Sequence, residues 1–173
     1  MKLAEALMPK KLEGNMIPTG LPPLDKIIKG WHLSDLIVLS SRWRRGGRSI
    51  LARNIARNLT VDYRIPVVYF SLRMSEMDFC CRLLAAEAGC TLVELGNYGK
   101  GDKELDKRVD AAAGKIGACP LYVDGTRDLS IFDFKSKLKR LVEEHGIKLA
   151  IIDYVQLMRG GGGGIWMRNL WRL

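Results

Sequence analysis

Histidine is scarce in this sequence, with only His32 and His145, and cysteine is limited to Cys80, Cys81, Cys90 and Cys119. No C-x-x-C pair occurs and both histidines are isolated, so the spacing of a zinc site is missing. The cysteines therefore read as small buried hydrophobes in a reducing cytosol, not as ligands or disulfide partners. No apolar run approaches the ~20 residues that span a bilayer, so no membrane association is expected. Met1–Glu13 carries charges throughout, unlike a secretory signal peptide, and the expected location is cytoplasmic. No internal repeat is found, which sets solenoid architectures aside.

What the chain does have is ordinary globular composition. It is 47% hydrophobic and 27% charged, which argues against disorder except at the ends. Its 173 residues suffice for one domain and are too few for two well-packed ones. The formal net charge of +9 points to an anionic partner such as nucleic acid, nucleotide or an acidic surface. A solvated basic face would give the same excess.

The pattern of runs and breakers implies an α/β fold. Lys2–Leu12 is short and helical in tendency. Asn15–Pro23 is punctuated by Pro18, Gly20, Pro22 and Pro23 and reads as a linker or turn, with a short helix over Leu24–Ile28. Four apolar runs predict parallel strands: Leu36–Ser40, Pro66–Ser71, Leu121–Asp124 and Leu149–Asp153. Helical spacing lies between them over Ser49–Val61, Ser75–Ala88, Asp102–Ile116 and Ser130–His145, with Gly89 and Gly146 as stops. Such alternation implies βαβ units and a sheet covered on both faces.

The last stretch departs from this pattern. Gly160–Gly164 is a run of five glycines, and Ile165–Leu173 carries two tryptophans and two arginines. An amphipathic partner-binding or membrane-surface segment is one reading. An arbitrary terminal peptide from a shifted reading frame is the other, and the simpler one.

Two motifs carry chemistry. After the Leu36–Ser40 run comes a basic, glycine-containing loop and then a helix, the arrangement in which backbone N–H groups meet phosphate oxygens. The phosphate-loop template G-x-x-x-x-G-K-[ST] is matched only in part by Gly46, Gly47, Arg48 and Ser49, with arginine for lysine. A plain surface turn would look similar. The second motif is Asp153 at the end of Leu149–Asp153, the strand end where open α/β sheets bind ligands. In phosphate-loop enzymes such a carboxylate helps to hold magnesium.

The order of further words resembles the motor of the DnaB family of bacterial replicative helicases. These words are Ile17–Gly20, Leu24-Asp25, Gly30, Asp35–Ile37, Asn54–Asn58, Phe70–Ser75, Pro120–Thr126, Leu129–Ile131 and Ile152–Met158. The resemblance implies a RecA-like P-loop core, ATP and magnesium as ligands, DNA as a nonspecific partner, and assembly with helicase subunits or as a homo-oligomer. It assigns nucleotide contacts to Arg42, Gly46, Gly47, Arg48 and Ser49, and magnesium to Ser49 and Asp153. It also divides the chain into a linker-helix remnant at residues 1–16, a truncated motor core at 17–158 and an aberrant Gly-rich tail at 159–173.

Departures from the family pattern shape the expected activity. Trp43 stands for a proline, the segment Trp43–Ser49 is one residue longer, and Arg48 replaces the lysine. Arg73 occupies the position of the glutamate that the resemblance makes the water-activating base. A guanidinium has no acceptor, so no catalytic residue is assigned; loss of a positioned base typically costs ~10²–10⁴ in rate. In RecA-type sheets the next strand inserts between the two motif strands, and here glycines stand in its place. That leaves two strands with unpaired backbone groups. The expectation is a helicase-motor fragment with impaired catalysis. The alternatives are a non-enzymatic nucleotide-binding, assembly or inhibitor module, and a decayed remnant.

Overall fold

The computed structural model describes residues 16–43 and 46–159. The helix proposed over Lys2–Leu12, Arg44 and Arg45, and the tail from Gly160 onward lie outside the described residues. The Pro- and Gly-rich opening does more than link. Met16–Ile17 (β1) pairs antiparallel with Trp31–His32 (β2) and encloses the helix Pro22–Ile28 (α1). Pro22 stands at the start of α1, where a missing N–H is tolerated. Asp25 ties the entry down, accepting from the Thr19 N–H and hydroxyl, both at 2.7 Å, and from the Gly20 N–H at 3.1 Å.

The helix after the glycine loop, Arg48–Arg57 (α2), runs into a π-helical turn at Asn58–Asp62. Then follow Val67–Ser71 (β3), Glu76–Ala88 (α3), Leu92–Leu95 (α4), Lys103–Gly117 (α5), Leu121–Asp124 (β4), Ile131–His145 (α6) and Leu149–Asp153 (β5). Local chemistry sets the ends of α3 and α6. Ser75 caps α3 by accepting from Asp78 N–H, and Ser130 caps α6 by accepting from Asp133 N–H. Both helices stop at a glycine with φ 64°, Gly89 and Gly146.

β3 is the centre of a parallel sheet in the order β4-β3-β5. All five of its residues are buried, and alternate side chains enter opposite cores. Val67 and Tyr69 pack with Ile55, Leu59, Phe79 and Leu83 under α2 and α3. Val68 and Phe70 pack with Leu129, Phe134 and Ile147 under α6. Each face has an aromatic pair, Tyr69 with Phe79 at 4.5 Å and Phe70 with Phe134 at 4.9 Å between centroids. Aromatic burial of this kind contributes roughly 2–3 kcal/mol per side chain. The expected α/β architecture, with helices flanking a parallel sheet, is present.

Two expectations are corrected. Leu36–Ser40 belongs to no strand, and Leu36, Ile37, Val38 and Leu39 are 53, 40, 72 and 42% exposed. The physical reason lies in the sheet: among the described residues β5 pairs only with β3, and no strand occupies its other edge. An apolar run becomes a buried strand only where a neighbour completes its hydrogen bonds. The cysteines, in turn, are free thiols but not core residues: Cys80 is exposed and the other three are partly buried.

Candidate functional site

Parallel pairing brings the C-terminal ends of β3 and β5 together, with Ser71 opposite Asp153. That end of the sheet faces the start of α2. Ser49, in the first turn of α2, donates its hydroxyl to Asp153 Oδ1 at 3.0 Å. Tyr69, fully buried on β3, donates its phenol to Oδ2 at 2.9 Å. Asp153 itself is 8% exposed. Burial, together with the adjacent Asp153 carboxylate, holds the Tyr69 phenol far above its ordinary range, so it stays a neutral donor. Ser49 of the first sequence motif and Asp153 of the second therefore meet. Tyr69 was not foreseen as part of the site.

The loop before α2 is shaped by its glycines. Gly47 caps the helix with φ 71° and ψ 10°, a left-handed conformation that glycine adopts at no steric cost. It offers no side-chain cap, so the first-turn N–H groups of α2 are left for another acceptor. A Cβ on Gly46 would overlap the Ser41 side chain, and Gly46 N–H donates to the Trp43 carbonyl at 3.0 Å. Arg48 turns back onto its own loop and donates to the Ser41 carbonyl at 3.3 Å. Arg42 and Trp43 are exposed beside this turn.

Arg73 lies two residues beyond Ser71, and Leu72 N–H donates to the Asp153 carbonyl at 3.0 Å. The position is thus at the same end of the sheet as Asp153, and Arg73 is exposed. Two other arginines are not surface cations. Arg57 forms a forked pair with Glu87 on α3, at 2.7 and 3.1 Å, and also binds Asp62. Arg53 is 8% exposed, and its Nε has no hydrogen-bond partner among the described residues. The remaining strand-end carboxylate, Asp124 on β4, accepts from Lys137 at 2.6 Å. Burial works against its charge, yet Lys137 and Thr126 outweigh that and hold Asp124 below its ordinary range.

Among the described residues no group of three or more histidine, cysteine or acidic side chains could cage a metal. Ser49 and Asp153 supply two adjacent oxygen donors. That suits a hard cation such as magnesium, which is typically held by few protein ligands and completes its shell with water and phosphate.

Comparison with known proteins agrees with the fold. Residues 16–168 match the family described as the DnaB-like helicase C terminal domain. The replicative DNA helicase DnaB of Leifsonia xyli subsp. xyli is 34% identical over 154 residues, which cover 88% of this chain and 33% of that protein. The replicative DNA helicase DnaB of Geobacillus stearothermophilus is 34% identical over 146 residues, covering 84% of this chain and 32% of that protein. A solved DnaB-like replicative helicase, described together with its interactions with primase, superimposes with a TM-score of 0.77. It shares 20% identity and covers 93% of this chain and 40% of its own. The chain spans about a third of the length of the curated relatives it matches.

Proposed function

Because the chain belongs to the DnaB-like helicase C-terminal domain family, we propose that it is a motor-core fragment that binds ATP with magnesium weakly and hydrolyses it poorly. The observation that carries this reading is the Ser49 hydroxyl on the Asp153 carboxylate. It joins the start of the phosphate-loop helix to the acidic strand end, as a nucleotide–magnesium site requires.

In this reading the Gly46–Gly47 turn and the first N–H groups of α2 receive phosphate oxygens, with Arg48 and Arg42 adding positive charge. Ser49 and Asp153 hold magnesium, which when bound would neutralise phosphate charge. Arg48 must first leave the Ser41 carbonyl, and its planar fork replaces the compact ammonium of a lysine; both lower affinity. Arg73 can pair with a terminal phosphate but accepts no proton. Residues 17–158 form the motor core in this reading.

Isothermal titration of the full chain with ATP and magnesium tests this. Binding clearly weaker than that of an intact family member is expected, and tight binding contradicts the reading. DNA contact, through Arg42 and its neighbours, is electrostatic in this account. Its affinity should fall steeply with salt and show no sequence preference.

A second reading, a non-enzymatic module that joins or inhibits helicase subunits, draws on a different observation. The edge of β5 that has no partner strand among the described residues and the exposed Leu36–Leu39 stretch offer a surface for another subunit. Size measurement of a mixture with an intact family helicase tests it: a mixed assembly supports this reading, and separate species remove it.

A further inference from the structure

Arg53 is a buried cation to which the nucleotide site as described assigns no task. It lies one helical turn after Ser49, so the two side chains share one face of α2. That face looks onto Asp153, as the Ser49 hydrogen bond shows. Asp153 is nearly buried, and both of its oxygens accept from neutral hydroxyls, Ser49 and Tyr69. Neutral donors relieve part of the cost of burying a carboxylate but leave its charge uncompensated. Arg53, equally buried, supplies a positive charge whose Nε has no hydrogen-bond partner.

From this arrangement we propose that Arg53 is a built-in counter-cation of Asp153, and that it lowers the affinity of the Ser49–Asp153 pair for a divalent metal ion. The proposal rests on the placement of magnesium given above and deepens it. The charges around Arg53 fit the assignment. Burial opposes its charge, the Asp153 carboxylate favours it, and Arg82 on α3 repels it. Of the residues of the site, Asp153 is the one whose negative charge supports Arg53. A divalent ion arriving at Asp153 meets a carboxylate whose field is already partly cancelled, and meets a fixed positive charge as well. Arg53 touches neither substrate nor metal in this account; it is a positioning residue that sets the electrostatics of the ligand pair.

The test uses Mn²⁺ alone, without nucleotide, and reads free Mn²⁺ by electron paramagnetic resonance in the presence of the full-length chain. Arg53→Met removes the charge and keeps much of the side-chain length. It should tighten Mn²⁺ binding roughly tenfold, the order expected when a nearby fixed charge is removed. Arg53→Gln is a second neutral variant, in case the methionine fails to fold as judged by circular dichroism. Arg53→Lys keeps the charge and should bind as the unmodified chain does. Asp153→Asn, made alone and together with Arg53→Met, identifies the ligand. If Asp153→Asn leaves Mn²⁺ binding unchanged in both backgrounds, the metal placement fails and this proposal fails with it. If Asp153→Asn abolishes binding while the neutral Arg53 variants bind no more tightly than the unmodified chain, the proposal about Arg53 is overturned and the metal placement stands.

Discussion

Ser49 and Asp153 are 104 positions apart in sequence, and the hydroxyl of one rests 3.0 Å from the carboxylate of the other. The contact fastens α2 to the end of β5. Removing it should loosen the nucleotide site more than the fold. Ser49→Ala should weaken ATP–magnesium affinity roughly tenfold or more, in line with the loss of a hydrogen bond to a charged group, about 1.5–3 kcal/mol. Titration calorimetry reads this directly. Affinity unchanged by Ser49→Ala would place the phosphates somewhere other than the Gly46–Ser49 turn.

Arg73 leads to a prediction about turnover. It sits just past β3 at the sheet end shared with Asp153, exposed, and it offers donors only. The chain, purified free of contaminating ATPases, should show no ATP hydrolysis at a rate typical of its relatives in a coupled assay. Arg73→Glu alone should restore little, because Arg48 remains in place of lysine. Steady turnover by the unmodified chain would remove Arg73 from this role.

The forked pair between Arg57 and Glu87 predicts an acid limb in stability. The Arg57 hydrogen bond holds the Glu87 carboxyl below its ordinary range, against the opposing effect of burial, with Lys115 adding to the pull. A folded value below the unfolded one stabilises the fold at pH above the unfolded value of about 4.3. That contribution is lost as pH falls through the lower folded value. Thermal melts should therefore decline in Tm below about pH 4.5. Glu87→Gln should cost about 1–3 kcal/mol near neutrality, by leaving Arg57 with weaker partners. The variant should also flatten the acid decline; an unaltered pH profile would assign that decline to other carboxylates.

Amide exchange should separate two apolar runs that look alike in sequence. The interior strand β3 has a partner on each side and should be among the most protected segments, whereas Leu36–Ser40 has none among the described residues. Hydrogen–deuterium exchange with mass spectrometry should find Leu36–Ser40 exchanging within the first time points. Slow exchange there would mean that the segment is paired in solution.

These two runs also mark how far the sequence could be read. Val67–Ser71, Leu121–Asp124 and Leu149–Asp153 were visible as strands because each is an apolar run with a neighbour to pair with. Leu36–Ser40 has the same composition, but pairing is a non-local property that no window of residues contains. The β1–β2 hairpin escaped notice because two residues per strand leave no period to detect. At the site, Gly46–Ser49 and Asp153 were legible from motif order. Tyr69 was not, since a tyrosine inside an apolar run reads as core until the phenol is seen to reach a carboxylate. In sequence Arg53 and Arg57 carry no mark that sets them apart from the other basic residues. Burial and pairing with Glu87 across the α2–α3 contact distinguish them from surface cations, and neither could be inferred from spacing.

The uncovered rim of β5 also bears on how the chain behaves in a crowd. Among the described residues one edge of β5 has no strand partner and Leu36–Leu39 are exposed, and an unpaired sheet edge is a template for pairing with another extended chain. The fold of a lone molecule is indifferent to this, but a concentrated solution is not. A lysine or proline placed at Val38, which is exposed and outside the sheet, should raise solubility while leaving the sheet intact.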